Sequence, residues 1–189
     1  GIMFDIDTQL HSSSHDKDLF RKDFLQIIYL LPHKVQALLA YPGGKKKIEG
    51  DLNDIFNNYL TKNNQYRTYV DGFFGMGGSF KALSDSLQNH GVKTVIVNEI
   101  NPCIITMHEN IRNAPNKMKN YFLEFLRTEI IIPYGKLYIT TEDFLKVIQI
   151  MKKKFYKLQN KKAFGVETST LMIMLSAFNY SGIVTFTRE

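Results

Sequence analysis

The sequence predicts an α/β fold, and three observations carry that prediction. Two segments rich in β-branched and aromatic residues, 66–70 and 94–98, each precede a stretch with helical apolar spacing. Between the first of them and its helix stand glycines at 72, 75, 77 and 78, which write a tight turn from strand into helix. The length, 189 residues of which 44% are hydrophobic, suits one domain with a real core.

In chain order, residues through about His15 read as a loose polar start. His11 and His15 lie in a Ser-rich, solvated context, and no metal-ligand grouping is expected. From Asp18, the spacing of Phe20, Phe24, Ile27, Ile28 and Leu31 predicts an amphipathic helix that ends at Pro32. A short helical or extended piece, 36–40, then delivers the turn Tyr41-Pro-Gly-Gly-Lys45. The next helix should bury Ile48, Leu52, Ile55, Phe56 and Tyr59 on one side.

After the strand at 66–70 and the glycine turn, Ser79 is placed to cap a helix that buries Phe80, Leu83 and Leu87. The strand Thr94–Asn98 ends at Glu99. Asn101 and Pro102 follow as N-cap and first helical residue of a helix through about Arg112, with Ile104, Ile105, His108 and Ile111 inward. Pro115 breaks that helix, and Met118, Tyr121, Phe122, Phe125 and Leu126 begin another. Residues 130–132 and 136–139 flank Pro133-Tyr134-Gly135 and read as strand, turn, strand. Thr140 to Asp143 resembles a capping box that opens a long helix burying Phe144, Val147, Ile148, Met151 and Phe155. An almost wholly apolar helix ends near Phe178, and 183–187 reads as a strand.

The strand, Gly-rich loop and helix around residue 75 form a unit whose backbone can approach a ligand closely, with the first N–H groups of the helix pointing at it. Glu99, at the end of the next strand, can accept hydrogen bonds from both hydroxyls of a ribose. Together they describe a site for an adenosine-containing cofactor. A dinucleotide fingerprint would place glycines at 75, 77 and 80, but residue 80 is Phe, which disfavours a nicotinamide cofactor. Asp71, at the carboxyl end of its strand, suits the α-ammonium of S-adenosylmethionine and repels a pyrophosphate.

No apolar run reaches the roughly 18 residues that span a membrane, so the expectation is a soluble, intracellular, cytoplasmic chain without a membrane partner. The lone Cys103 excludes an internal disulfide framework. A formal charge of +6 and an isoelectric point near 9.2 favour a polyanionic partner. The densest basic group, Lys152, Lys153, Lys154 and Lys157, continuing to Lys161 and Lys162, has two readings: a solvated helix face, or a surface for phosphates.

Three separated motifs resemble one family. Tyr41-Pro-Gly-Gly-Lys45, then Asp71-Gly-Phe-Phe-Gly-Met-Gly-Gly-Ser-Phe80, then Asn98-Glu-Ile-Asn101 are similar, in order and spacing, to motifs of the DNA adenine methylase (Dam) family of adenine-N6 methyltransferases. Ala177-Phe-Asn-Tyr-Ser-Gly182 with Arg188 is a looser fourth match. The resemblance covers residues from about 38 to 112 well and 170 to 189 weakly. It implies a Rossmann-like, S-adenosylmethionine-dependent methyltransferase sheet with an additional helical target-recognition region. The implied organisation is an N-terminal helical extension (1–37), a cofactor-binding core (38–115), and a target-recognition region with the start of the remaining core (116–189).

The resemblance further implies that the cofactor is held by Tyr41, Gly43, Gly44 and Lys45, by the run Asp71, Gly72, Phe73, Phe74, Gly75, Met76, Gly77 and Gly78, and by Glu99 and Ile100. Double-stranded DNA would be met by the six lysines named above together with Asn179 and Arg188, and a restriction enzyme is a further partner that this family admits. Gly72 stands where the family has Pro, and Ala40 where it usually has Lys.

The family's Asp/Asn-Pro-Pro-Tyr motif, whose oxygens accept the adenine amino group while the Tyr stacks on the flipped base, is absent, since no Pro-Pro occurs in the sequence. The catalytic residues are therefore unassigned, and the expectation is a chain that stops before that motif. The alternative from a different class is a non-catalytic nucleic-acid-binding module on the same fold. A nicotinamide-dependent oxidoreductase is a third reading, disfavoured by Phe80 and by the lack of a proton-transfer set.

Overall fold

A computed structural model of the chain describes residues 25–31, 46–136 and 139–178. The chain divides into two compact units, 1–105 and 106–189.

Among the described residues the first unit has a three-stranded sheet and two helices. Strand β1 (Leu25–Leu30) lies antiparallel to β3 (Thr94–Glu99), and β2 (Thr68–Asp71) lies parallel to β3 on its other side, giving the order β1-β3-β2. Helix α1 (Glu49–Lys62) precedes β2, and α2 (Gly78–Asn89) makes the crossover from β2 to β3 that a parallel pair requires. Central β3 is buried from Val95 through Glu99, as a strand paired on both edges should be.

One core cluster joins Ile27, Tyr29, Phe74, Phe80, Val95, Val97 and Ile105. A second joins Leu60, Leu83, Leu87 and Val92, with Leu52 and Phe56 packed against it. Helices α1 and α2 also share polar contacts: Ser86 Oγ donates to Asn53 Oδ1, and the His90 ring nitrogen Nε2 lies 3.2 Å from Asn57 Oδ1.

In the second unit, α4 (Pro115–Leu126) runs on through a π-helical segment (Arg127–Ile131) and a last turn (Ile132–Tyr134). Helix α5 (Thr141–Asn160) and helix α6 (Val166–Phe178) follow, and α6 packs on both α4 and α5. Helix α3 (Pro102–Asn113) spans the division between the units.

The α/β class, the strands near 66–70 and 94–98, and the helices around them stand as the sequence predicts. So do the Asn101 cap, whose Oδ1 accepts the Cys103 N–H at 2.9 Å, and the Thr140 cap, whose hydroxyl accepts the Asp143 N–H at 3.2 Å.

Four expectations are corrected. Residues 25–30, assigned to a helix running from Asp18, form β1: Ile27 and Tyr29 are buried two apart, the period of a strand, and pair with Val97 and Val95 of β3. Residues 130–132, expected as a strand, are helical: they continue α4 through the π-helical segment, and Gly135, at φ 70°, ends the run with its N–H donating to the Ile131 carbonyl at 2.8 Å. The inward stripe of α1 is Leu60, buried, with Leu52 and Phe56 partly buried, which leaves Ile48, Ile55 and Tyr59 exposed. Ser79 is not the cap of α2; Gly77, in the left-handed conformation, holds that position.

Candidate functional site

Because β2 and β3 are parallel with Asp71 opposite Val97, both strands end at the same edge of the sheet, and their last residues are the carboxylates Asp71 and Glu99. Both side chains are buried, at 9% and 8% exposure. The glycine loop is folded onto them by backbone donors. Phe73 N–H donates to Asp71 Oδ1 at 3.2 Å, Phe74 N–H to the Asn98 carbonyl at 2.9 Å, and Gly75 N–H to Glu99 Oε2 at 2.8 Å. The other Glu99 oxygen, Oε1, accepts the Asn101 N–H at 2.9 Å. Glu99 thus ties the loop after β2 to the turn that starts α3.

Two glycines make this path possible. Gly75 and Gly77 have φ of 53° and 79°, a region costly for residues with a Cβ. At Gly77 a Cβ would also lie 3.0 Å from the Phe74 ring. Its N–H donates to the Phe74 carbonyl at 2.9 Å, closing the turn, and its carbonyl accepts the Lys81 N–H at 2.9 Å, opening α2. Gly72 has neither constraint: its φ is not positive and a Cβ there meets nothing within 4 Å.

Adjacent loop residues point opposite ways. Phe74 is buried, its ring 6.2 Å from Tyr29 and 6.3 Å from Phe80, while Phe73 is 89% exposed. Ile100, just past Glu99, is 69% exposed. Two large apolar side chains therefore stand in solvent beside the two strand ends. Tyr69 is partly buried; burial, with the Asp71 charge beside it, pushes its hydroxyl pKa upward.

The chain finds no match among known protein families, curated proteins or solved structures.

Of the residues assigned from sequence, Asp71, Gly72, Phe73, Phe74, Gly75, Met76, Gly77, Gly78, Glu99 and Ile100 come together at this sheet edge. Phe74 and Met76 are buried and serve as anchors of the loop. Tyr41, Gly43, Gly44 and Lys45 lie outside the described residues, as do Asn179 and Arg188. Asn98, whose carbonyl accepts the Phe74 N–H, and the Asn101 N–H, which donates to Glu99, also take part; the Asn-Glu-Ile-Asn string contains both residues, but these main-chain roles leave no mark in side-chain chemistry.

Were S-adenosylmethionine the ligand, these residues would divide its groups between them. Asp71 would face its ammonium, Glu99 would hold its ribose, and Phe73 and Ile100 would cover its apolar faces; when bound, the cofactor supplies an electrophilic methyl group. Glu99 retains acceptor capacity for this, because each carboxylate oxygen has two lone pairs and one contact to each is used.

The lysine group lies in the second unit. Lys153, Lys154, Lys157, Lys161 and Lys162 are exposed and Lys152 is half-buried. Lys154 Nζ is 3.6 Å from Glu129 Oε1. Among the described residues no cluster of His, Cys, Asp and Glu could hold a metal, and no helix is long and apolar enough to cross a membrane.

Proposed function

We propose that the chain is the cofactor-binding and target-recognition part of a DNA adenine-N6 methyltransferase, with S-adenosylmethionine held by residues 71–78, Glu99 and Ile100. The observation that carries the reading is the meeting of two carboxylate-ended parallel strands with a glycine loop bent over them and two exposed apolar side chains beside them. The order of the three sequence motifs supports the same reading. On this account a finer Rossmann-like methyltransferase sheet builds on β2, α2 and β3. The lysines of α5 meet the phosphates of duplex DNA, whose binding releases counterions and so weakens steeply with salt.

Titration calorimetry with S-adenosylmethionine and with NAD tests the proposal. S-adenosylmethionine should bind the more tightly, and Glu99→Ala should weaken it by about 1–3 kcal/mol, the scale of lost charge-assisted hydrogen bonds. Tighter binding of NAD would overturn it. A non-catalytic DNA-binding module is the second reading, favoured by the absence of any Pro-Pro in the sequence; such a module would bind duplex DNA and no cofactor.

A further inference from the structure

In the second unit, Tyr121 of α4, Lys154, Lys157 and Leu158 of α5, Lys161 at the C-cap of α5, and Glu167 of α6 line a recess of about 290 Å³. The four residues from 154 to 161 are spaced i, i+3, i+4 and i+7, which places three lysines along one side of the helix and its C-cap. Lys153 is on the same helix and also exposed, but does not line the recess.

We propose that this recess seats one phosphodiester of a nucleic-acid backbone, an inference that rests on the DNA-contacting reading of α5. Three lysines converge here against two carboxylates, Glu167 in the wall and Glu129 paired with Lys154. The balance is a single positive charge. A phosphodiester carries one negative charge and neutralises it, whereas a terminal phosphate, at about −1.5 to −2 near neutral pH, brings excess charge against both carboxylates. The Tyr121 hydroxyl stays protonated and able to donate, since burial, helped by Glu167 and Glu129, pushes its pKa to about 12. Like-charged lysines one turn apart repel, so filling the recess relieves a cost that a solvated face would keep. The carboxylates therefore act as a filter that favours internal backbone over free or terminal phosphate.

The test measures duplex-DNA affinity of the full 189-residue chain over a range of salt for three variants with equal or opposite charge changes. Lys157→Gln should lose at least about fivefold more affinity than Lys153→Gln, although both remove one charge from exposed positions of the same helix. Glu167→Gln should tighten DNA binding and make inorganic phosphate an effective competitor, which it should not be for the parent chain. Equal losses at Lys157 and Lys153, with salt-dependent DNA binding intact, would remove the recess and leave the DNA reading standing. Effective competition by inorganic phosphate against the parent chain would overturn the charge filter. Absence of DNA binding by the parent chain would overturn both.

Discussion

Gly75 donates its backbone N–H to Glu99 Oε2 at 2.8 Å, a contact between residues 24 apart in sequence that fixes the glycine loop to the end of the neighbouring strand. Oε1 of the same buried carboxylate takes the Asn101 N–H. Glu99→Gln retains the shape but offers one acceptor oxygen and one NH₂ where two acceptors are needed. One loop N–H then faces a donor, and the fold should lose about 1–3 kcal/mol, the cost of an unsatisfied buried group. Denaturant unfolding measures the loss, and hydrogen exchange at Gly75 should accelerate.

The loop glycines should differ sharply. Gly77→Ala puts a Cβ at φ 79° and 3.0 Å from the Phe74 ring, so it should cost about 1–3 kcal/mol. Gly72→Ala meets nothing within 4 Å and should stay within about 1 kcal/mol of the parent. Comparing the two midpoints in urea checks this, and equal effects would show that the loop is not held as described.

Alkaline pH should destabilise the chain. Burial raises the Cys103 thiol from 9.0 to about 11, and burial with nearby carboxylates raises Tyr121 from 10.0 to about 12. Each folded-state pKa lies above its unfolded value, so the unfolded chain loses these protons first. The stability they contribute is complete below about pH 9 and disappears as pH rises through 11 to 12. Cys103→Ala should flatten the first part of that decline in a series of urea melts.

The 189-residue chain should transfer little or no methyl to adenine, because nothing in its sequence supplies the Asp/Asn-Pro-Pro-Tyr acceptors. Labelled methyl transfer to duplex DNA is the measurement, and robust incorporation would mean that other residues hold the amino group.

The loop and both acidic strand ends were legible because their signals are local: β-rich runs, a dense set of glycines and a carboxylate at each strand end. Strand β1 was not. Its six residues, Leu-Gln-Ile-Ile-Tyr-Leu, sit among apolar positions that also fit a helical stripe, and only pairing with β3 decides between them. Residues 130–132 differ for the opposite reason: their isoleucines favour a strand alone, but they continue a helix already begun at Pro115. On α1, the stripe running through Leu60 is buried against α2, while the sequence pattern alone allows the neighbouring stripe through Ile55 and Tyr59 equally well. The two jobs of Glu99 and the joining of Tyr121, Glu167 and three lysines in one recess depend on contacts between distant segments, which no local pattern encodes.

An amide chemical-shift map recorded with S-adenosylhomocysteine, which binds without reacting, tests the central claim most directly. The account predicts saturable shifts concentrated at residues 71–78 and at Glu99 and Ile100, with no comparable response to NAD. Shifts centred elsewhere in the chain, or a stronger response at these residues to NAD, would contradict it.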